Sequence, residues 1–184
     1  MLRRIAVFAG QADLVSPEEV SAALQVGRLL GENAVTLVFD SAATGMIETV
    51  ADTAAQSGGR LLGIRLDGRP AGRADLAEDR VTASVGAWRE EVGRLSDAFL
   101  GLPGGFASLG DAFAVWGWGG GSVDRPLGLL DHGGYYSTLL KEGSDAEVDR
   151  FVIESQRGQL VVGSSAAELL RRMADYRAPE DRRE

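Results

Sequence analysis

The chain has 184 residues, a length that suits one domain of ordinary size. With 19 basic against 27 acidic side chains and a net charge of −8, no cationic surface for nucleic acid or anionic lipid is expected, although backbone can still hold one small phosphorylated ligand. The absence of cysteine excludes disulfides, thiolate catalysis, cysteine-ligated zinc and iron–sulfur sites, and a lone His132 fits neither a His-based metal site nor a Ser-His-Asp triad.

Ile5-Ala6-Val7-Phe8, followed by Ala9-Gly10, reads as a strand buried on both faces that ends in a tight turn. The next residues, Gln11-Ala12-Asp13, are no secretory cleavage pattern. Ser16-Pro17-Glu18-Glu19 is a helix start: serine as cap, proline at the first position, glutamate at the third. Val20, Ala23, Leu24, Gly27 and Leu30 follow at helical spacing. Residues 35–39 predict a second strand, Met46, Val50 and Ala54 a helix stopped by Gly58-Gly59, and residues 61–64 a third strand. Asp67 to Asp79 is polar with proline and glycine, and reads as a surface loop. Val85, Trp88, Val92 and Leu95 mark another helix, and Ala98 to Leu102 a strand running into Pro103-Gly104-Gly105. A helix bearing Leu109, Ala112, Phe113 and Trp116 comes next, then a strand over 126–130 and a short helix over 135–140 that Tyr135 and Tyr136 pack. Residues 160–162 predict the last strand, and Ser165-Ala166-Ala167-Glu168 caps the final helix. Residues 1–177 are expected to form one domain, with 178–184 a charged, frayed tail. No run approaches the roughly 18 apolar residues of a membrane span, so a cytoplasmic protein is expected.

Strands alternate with helices, and the connections are too long for hairpins. The expected fold is therefore α/β, a Rossmann-like doubly wound parallel sheet with helices on both faces. Such sheets bind ligands beyond the C-terminal strand ends, where the strand order reverses. Gly10, Asp40 and Gly104 all follow strand ends and should share that rim. The richest stretch is Pro103-Gly104-Gly105-Phe106-Ala107-Ser108-Leu109-Gly110-Asp111. Two glycines admit a ligand close to backbone, and the helix behind them turns free N–H groups and its positive dipole end toward the rim. Ser108 either caps this helix or donates to a phosphate oxygen, and Asp111 sits one turn in. On local grammar alone a plain capping pair explains the same residues.

The stretch resembles the P-G-G-x-G-T-x-x-E motif of the LOG ("Lonely Guy") family, cytokinin-activating phosphoribohydrolases long mislabelled as lysine decarboxylases. The resemblance extends to Val7-Phe8-Ala9-Gly10, Leu37-Val38-Phe39, Gly45-Met46-Ile47, Ser96-Asp97-Ala98-Phe99, Arg125-Pro126-Leu127-Gly128 and Gly134-Tyr135-Tyr136. The family's Arg-Lys pair falls on Arg89-Glu90, and its motif Glu, Thr and last Gly fall on Asp111, Ser108 and Ala107. Asp40-Ser41-Ala42 replaces a run of glycines, and Gln11 stands where the family usually has Ser.

The resemblance implies cleavage of the N-glycosidic bond of a nucleotide or related ribosyl compound, with Asp111 as the carboxylate and Arg89 as the cation. It places Gly10, Gln11, Asp40, Ser41, Gly104, Gly105, Phe106, Ala107 and Ser108 around phosphate and substrate, and needs no metal or cofactor. It also implies a homodimer through the aromatic helix Leu109 to Trp118. A second reading is a nucleotide- or nucleoside-binding protein with weakened catalysis, since Asp for Glu withdraws the carboxylate by about 1.5 Å and Glu90 reverses a charge. A third is a carrier or regulator of another nucleotide-like ligand. In a bland reading, Arg89 lies on a solvated helix face. Asp40 has two readings. Facing the rim about 5 Å from a phosphate, it repels by roughly 3 kcal/mol at an effective dielectric near 20 and favours an unphosphorylated glycoside. Turned outward, it caps the helix beginning near Thr44 and leaves phosphate binding unchanged.

Overall fold

The computed structural model describes residues 2–10, 16–70, 72–118, 125–137 and 159–176. These form β1 (Arg4–Phe8), α1 (Pro17–Glu32), β2 (Thr36–Asp40), α2 (Met46–Gln56), β3 (Leu61–Leu66), β4 (Glu78–Thr82), α3 (Val85–Leu95), β5 (Ala98–Gly101), α4 (Gly105–Trp118), β6 (Leu127–Leu130), β7 (Leu160–Gly163) and α5 (Ala166–Asp175). The strands make one seven-stranded sheet of order β4-β3-β2-β1-β5-β6-β7. Every neighbouring pair is parallel. The chain winds outward from β1 to β4, then returns to lay β5 against the other side of β1. The strand order therefore reverses between β1 and β5.

Successive residues of β1 point to opposite faces, as the pleat requires. Ile5 and Val7 join a core with Val26 and Leu30 of α1, Val50 of α2 and Leu169 of α5. Ala6 and Phe8 join a second core with Trp88 and Val92 of α3 and Ala112 and Trp116 of α4. Helices thus cover both faces, as the alternating pattern predicts. At the start of α1, Ser16 Oγ accepts from Glu19 N at 3.2 Å while Glu19 Oε2 accepts from Ser16 N at 2.7 Å, the reciprocal cap read from the sequence.

Two elements differ from expectation, and a third agrees as far as it is described. Glu78-Asp79 belongs to a strand rather than to a loop: β4 is a charged edge strand paired with β3. It carries no apolar run to betray it, because an edge strand blunted by charge needs none. The helix α4 starts at Gly105, whose φ of +80° turns the chain into it. Ser108 therefore lies in the first turn rather than at the cap, and Asp111 in the second. Residues 135–137 are helical. The rest of that expected helix, and the tail, lie outside the described residues. No helix among the described residues is long and apolar enough to cross a membrane.

Candidate functional site

The strand-order reversal brings two glycines into direct contact. A Cβ on Gly10 would lie 2.2 Å from Gly104 Cα, and one on Gly104 would lie 2.1 Å from Gly10 N. Both obstacles are backbone, so only glycine fits at either position. This contact forms the floor of a cleft of about 770 Å³. Its walls carry Asp40, Arg69, Asp111 and Tyr135, with Phe8 and Trp88 among the apolar residues. Two successive tyrosines bracket the glycine turn. Tyr136 Oη donates to Leu102 O at 2.6 Å before the turn, and Gly105 N donates to Tyr135 Oη at 2.9 Å after it. Burial pushes the Tyr136 phenol well above its ordinary pKa, so it keeps its proton and remains a donor.

The two residues assigned to catalysis from sequence meet. Arg89 Nη2 donates to Asp111 Oδ1 at 2.9 Å, joining α3 to α4 beside the cleft. Asp111 lines the cleft, and Arg89 reaches it from behind. The Arg89 Nε is buried with no hydrogen-bond partner among the described residues, an open donor on the same guanidinium. Asp111 Oδ2 makes no hydrogen bond to the described protein and is available to a ligand or water. Glu90, on the same helix, is exposed and does not line this cleft. Its reversed charge therefore bears on the cleft less than its place in the sequence suggests.

Gly10, Gly104, Gly105, Phe106, Ala107 and Ser108 all line the cleft. Ser108 Oγ donates to Gly105 O at 3.2 Å, which holds the first turn of α4 closed. Phe106 is 85% exposed at the rim. Gln11 lies outside the described residues. Ser41 is not brought to the cleft: it is buried, and its Oγ donates to Asp79 Oδ1 of β4 at 2.9 Å.

Asp40 lines the cleft, but it is not a bare charge. Its Oδ1 accepts from Ala42 N at 3.0 Å, and its Oδ2 pairs with Arg69 at 3.3 Å. Arg69 also donates to Ala42 O at 3.2 Å. Asp40 does not cap α2, because Gly45 fills that position and donates its own N–H to Glu48 Oε2 at 3.0 Å. The repulsion expected of an isolated Asp40 is thus offset by a guanidinium that the sequence does not single out. Arg69 and Tyr135 are among the cleft residues that sequence reasoning missed, as are Glu19 and Thr44. Arg69 sits in a polar stretch without periodicity. Tyr135 reads there as helix packing, yet only Tyr136 is buried.

Comparison with known proteins gives the family and the fold. A family described as "Possible lysine decarboxylase" matches residues 47–173. The chain is 31% identical over 178 residues to the probable cytokinin riboside 5′-monophosphate phosphoribohydrolase LOGL9 of Oryza sativa subsp. japonica, covering 95% of this chain and 78% of that one. It is 30% identical over 178 residues to the cytokinin riboside 5′-monophosphate phosphoribohydrolase LOG7 of Arabidopsis thaliana, covering 95% and 82%. Among solved structures, the molybdenum cofactor carrier protein of Chlamydomonas reinhardtii shares the fold. Its TM-score is 0.69 at 16% identity, over 95% of this chain and 100% of that one. The Gly10–Gly104 floor, the glycine turn into α4 and the Arg89–Asp111 pair stand in a chain related to these enzymes over nearly its whole length: it is a divergent member of the LOG family.

Proposed function

We propose that this protein is an N-glycoside hydrolase acting on a nucleotide or a related ribosyl compound. The observation that carries the reading is the Arg89–Asp111 pair at 2.9 Å beside a cleft floored by Gly10 and Gly104. In the reaction, water adds to the anomeric carbon and the carbon–nitrogen bond breaks. Its electron pair leaves with the base, which takes up a proton, and the sugar is released with the new hydroxyl. The transition state carries positive charge on the sugar ring, so a carboxylate stabilises it or activates the water. Asp111 supplies that carboxylate, with Oδ1 on Arg89 and Oδ2 toward the ligand. Arg89, paired with Asp111 from behind, orients it and keeps its charge beside the cleft. The start of α4 after Gly105, whose own N–H is held by Tyr135 Oη, presents backbone N–H groups to an anionic or hydroxyl oxygen.

A second reading rests on the side chain at position 111. Aspartate is one methylene shorter than the family's glutamate, and a displacement of about 1 Å at a catalytic group can cost a hundredfold in rate. The protein is then a nucleotide- or nucleoside-binding member with catalysis weakened. The expected assembly is a homodimer, an expectation that rests on the family resemblance and on the aromatic helix Leu109 to Trp118. Incubation with a panel of nucleosides and nucleotides, scored for free base, separates the readings. Release of base supports the hydrolase, and a thermal shift without release supports the binder. Neither response from any compound overturns both. Light scattering tests the assembly, and a concentration-independent monomer refutes the dimer.

A further inference from the structure

We propose that Tyr135 is a ligand-binding and specificity-determining residue of the cleft, its hydroxyl donating to an oxygen of the bound ribosyl ligand. The inference rests on the reading of the cleft as a site for a nucleotide-like ligand.

The adjacent tyrosines do opposite jobs. Tyr136 is buried and its proton is committed to Leu102 O. Tyr135 is 39% exposed and lines the cleft, and its oxygen accepts from Gly105 N at 2.9 Å. A phenol that accepts one hydrogen bond still has a proton to give. The Tyr135 proton has no acceptor among the described residues. Accepting from Gly105 also polarises the hydroxyl and strengthens its donation. The N–H that the glycine turn would offer is in this way relayed to an O–H, 2.9 Å further out. The ring is already held, packed edge-on to Tyr136 with centroids 5.0 Å apart at 89°. Little side-chain freedom is then left to lose when a ligand arrives. The chemistry recognised is an oxygen acceptor, either a sugar hydroxyl or a phosphate oxygen.

The test is calorimetric titration of wild type and Tyr135→Phe with AMP and with adenosine. The ring and its contact with Tyr136 survive this change, so the fold should too. Affinity is expected to fall about tenfold. A loss confined to AMP identifies a phosphate oxygen, and an equal loss for both identifies a sugar oxygen. Either supports the proposal. Unchanged affinity overturns it while leaving the proposed function standing. A gain for AMP also overturns it, because the tyrosine would then be a plug over Gly105. Tyr136→Phe serves as a structural comparison. If Tyr135→Phe lowers the melting temperature as far as Tyr136→Phe does, and both variants lose binding together, the role is structural and the proposal fails. Where wild type binds neither, the titration is repeated with a panel compound that shifts its melting temperature, and protein that answers to none overturns the parent reading and this one with it.

Discussion

The two ends of the cleft are built from different materials. At the β1/β5 end the surface is backbone: Gly10 against Gly104, and the Gly105 N–H capped by a tyrosine hydroxyl. At the β2/β3 end it is a pair of side chains, Asp40 and Arg69, that are 26% and 44% exposed. Backbone in close contact cannot be altered without moving strands, whereas an exposed ion pair can be exchanged at little cost to the fold. On the proposed function, the first end fixes where a ligand sits and the second sets which charge it bears.

That contrast is broken most severely at the floor. Gly104→Ala or Gly10→Ala drives a methyl into backbone of the opposite loop, with no side chain able to yield. Each should cost about 3 kcal/mol or more in stability by urea denaturation, and should abolish ligand binding. Gly110→Ala is the control. Its Cβ would meet nothing within 4 Å, and in a helix alanine should stabilise by about 0.5–1 kcal/mol. A neutral Gly104→Ala would mean that the two loops do not touch.

Next in size is the pair that joins α3 to α4. Asp111→Asn removes a charge with little change of shape, and should lower turnover by about a hundredfold or more. Arg89→Ala should do comparable damage if it orients Asp111 against the sugar. Because both side chains are partly exposed, stability should move by no more than about 1 kcal/mol in either variant. Full activity in Asp111→Asn would show that the motif carboxylate has been misplaced.

The same contrast explains what the sequence could reveal. The glycine turn after β5 was readable because close backbone approach leaves one residue type, and a helix had to follow. The meeting of Arg89 with Asp111 was not implied by their spacing, and came from the family pattern alone. Asp40 was readable as a charge, but its partner was not. Arg69 comes from a loop whose polar residues carry no period, and only the folded chain brings it to β2. Tyr135 and Tyr136 are chemically identical in sequence. Which of them is buried depends on the turn fixed by Asp131, whose Oδ1 accepts from Tyr136 N at 2.8 Å. The strand β4 escaped notice for the reason that it is an edge: Glu78-Asp79-Arg80 is charged where an interior strand would be apolar.

The β2/β3 end gives the next prediction. Arg69→Ala leaves Asp40 unneutralised at the cleft wall, so AMP affinity should fall about tenfold while adenosine affinity stays unchanged. Asp40→Gly frees Arg69 and should shift AMP affinity the other way. Titration of both nucleotide and nucleoside into each variant checks this. Equal losses for AMP and adenosine in Arg69→Ala would show that the arginine shapes its loop rather than setting charge preference.

The smallest expected effect lies on α3, away from the cleft. Arg89 joins the site, while Glu91 is held by Arg94 at 2.7 Å and also pairs with Arg80. Hydrogen bonds from Arg94 and then Arg80 lower the Glu91 carboxyl from an ordinary 4.5 to about 2. A depressed folded pKa contributes stability above the unfolded value, and that stability is lost as pH falls through the folded one. The contribution of Glu91 is therefore complete above about pH 5 and fades between 4.5 and 2. Solvent screens this surface cluster, so Glu91→Gln should cost only about 1 kcal/mol at pH 7. The gap from wild type should narrow as denaturation is repeated down to pH 3. Turnover should not change, because Glu91 does not line the cleft. A gap independent of pH would mean that Glu91 acts by packing rather than by charge. A fall in turnover would mean that its pairs help set the orientation of α3, and with it the position of Arg89.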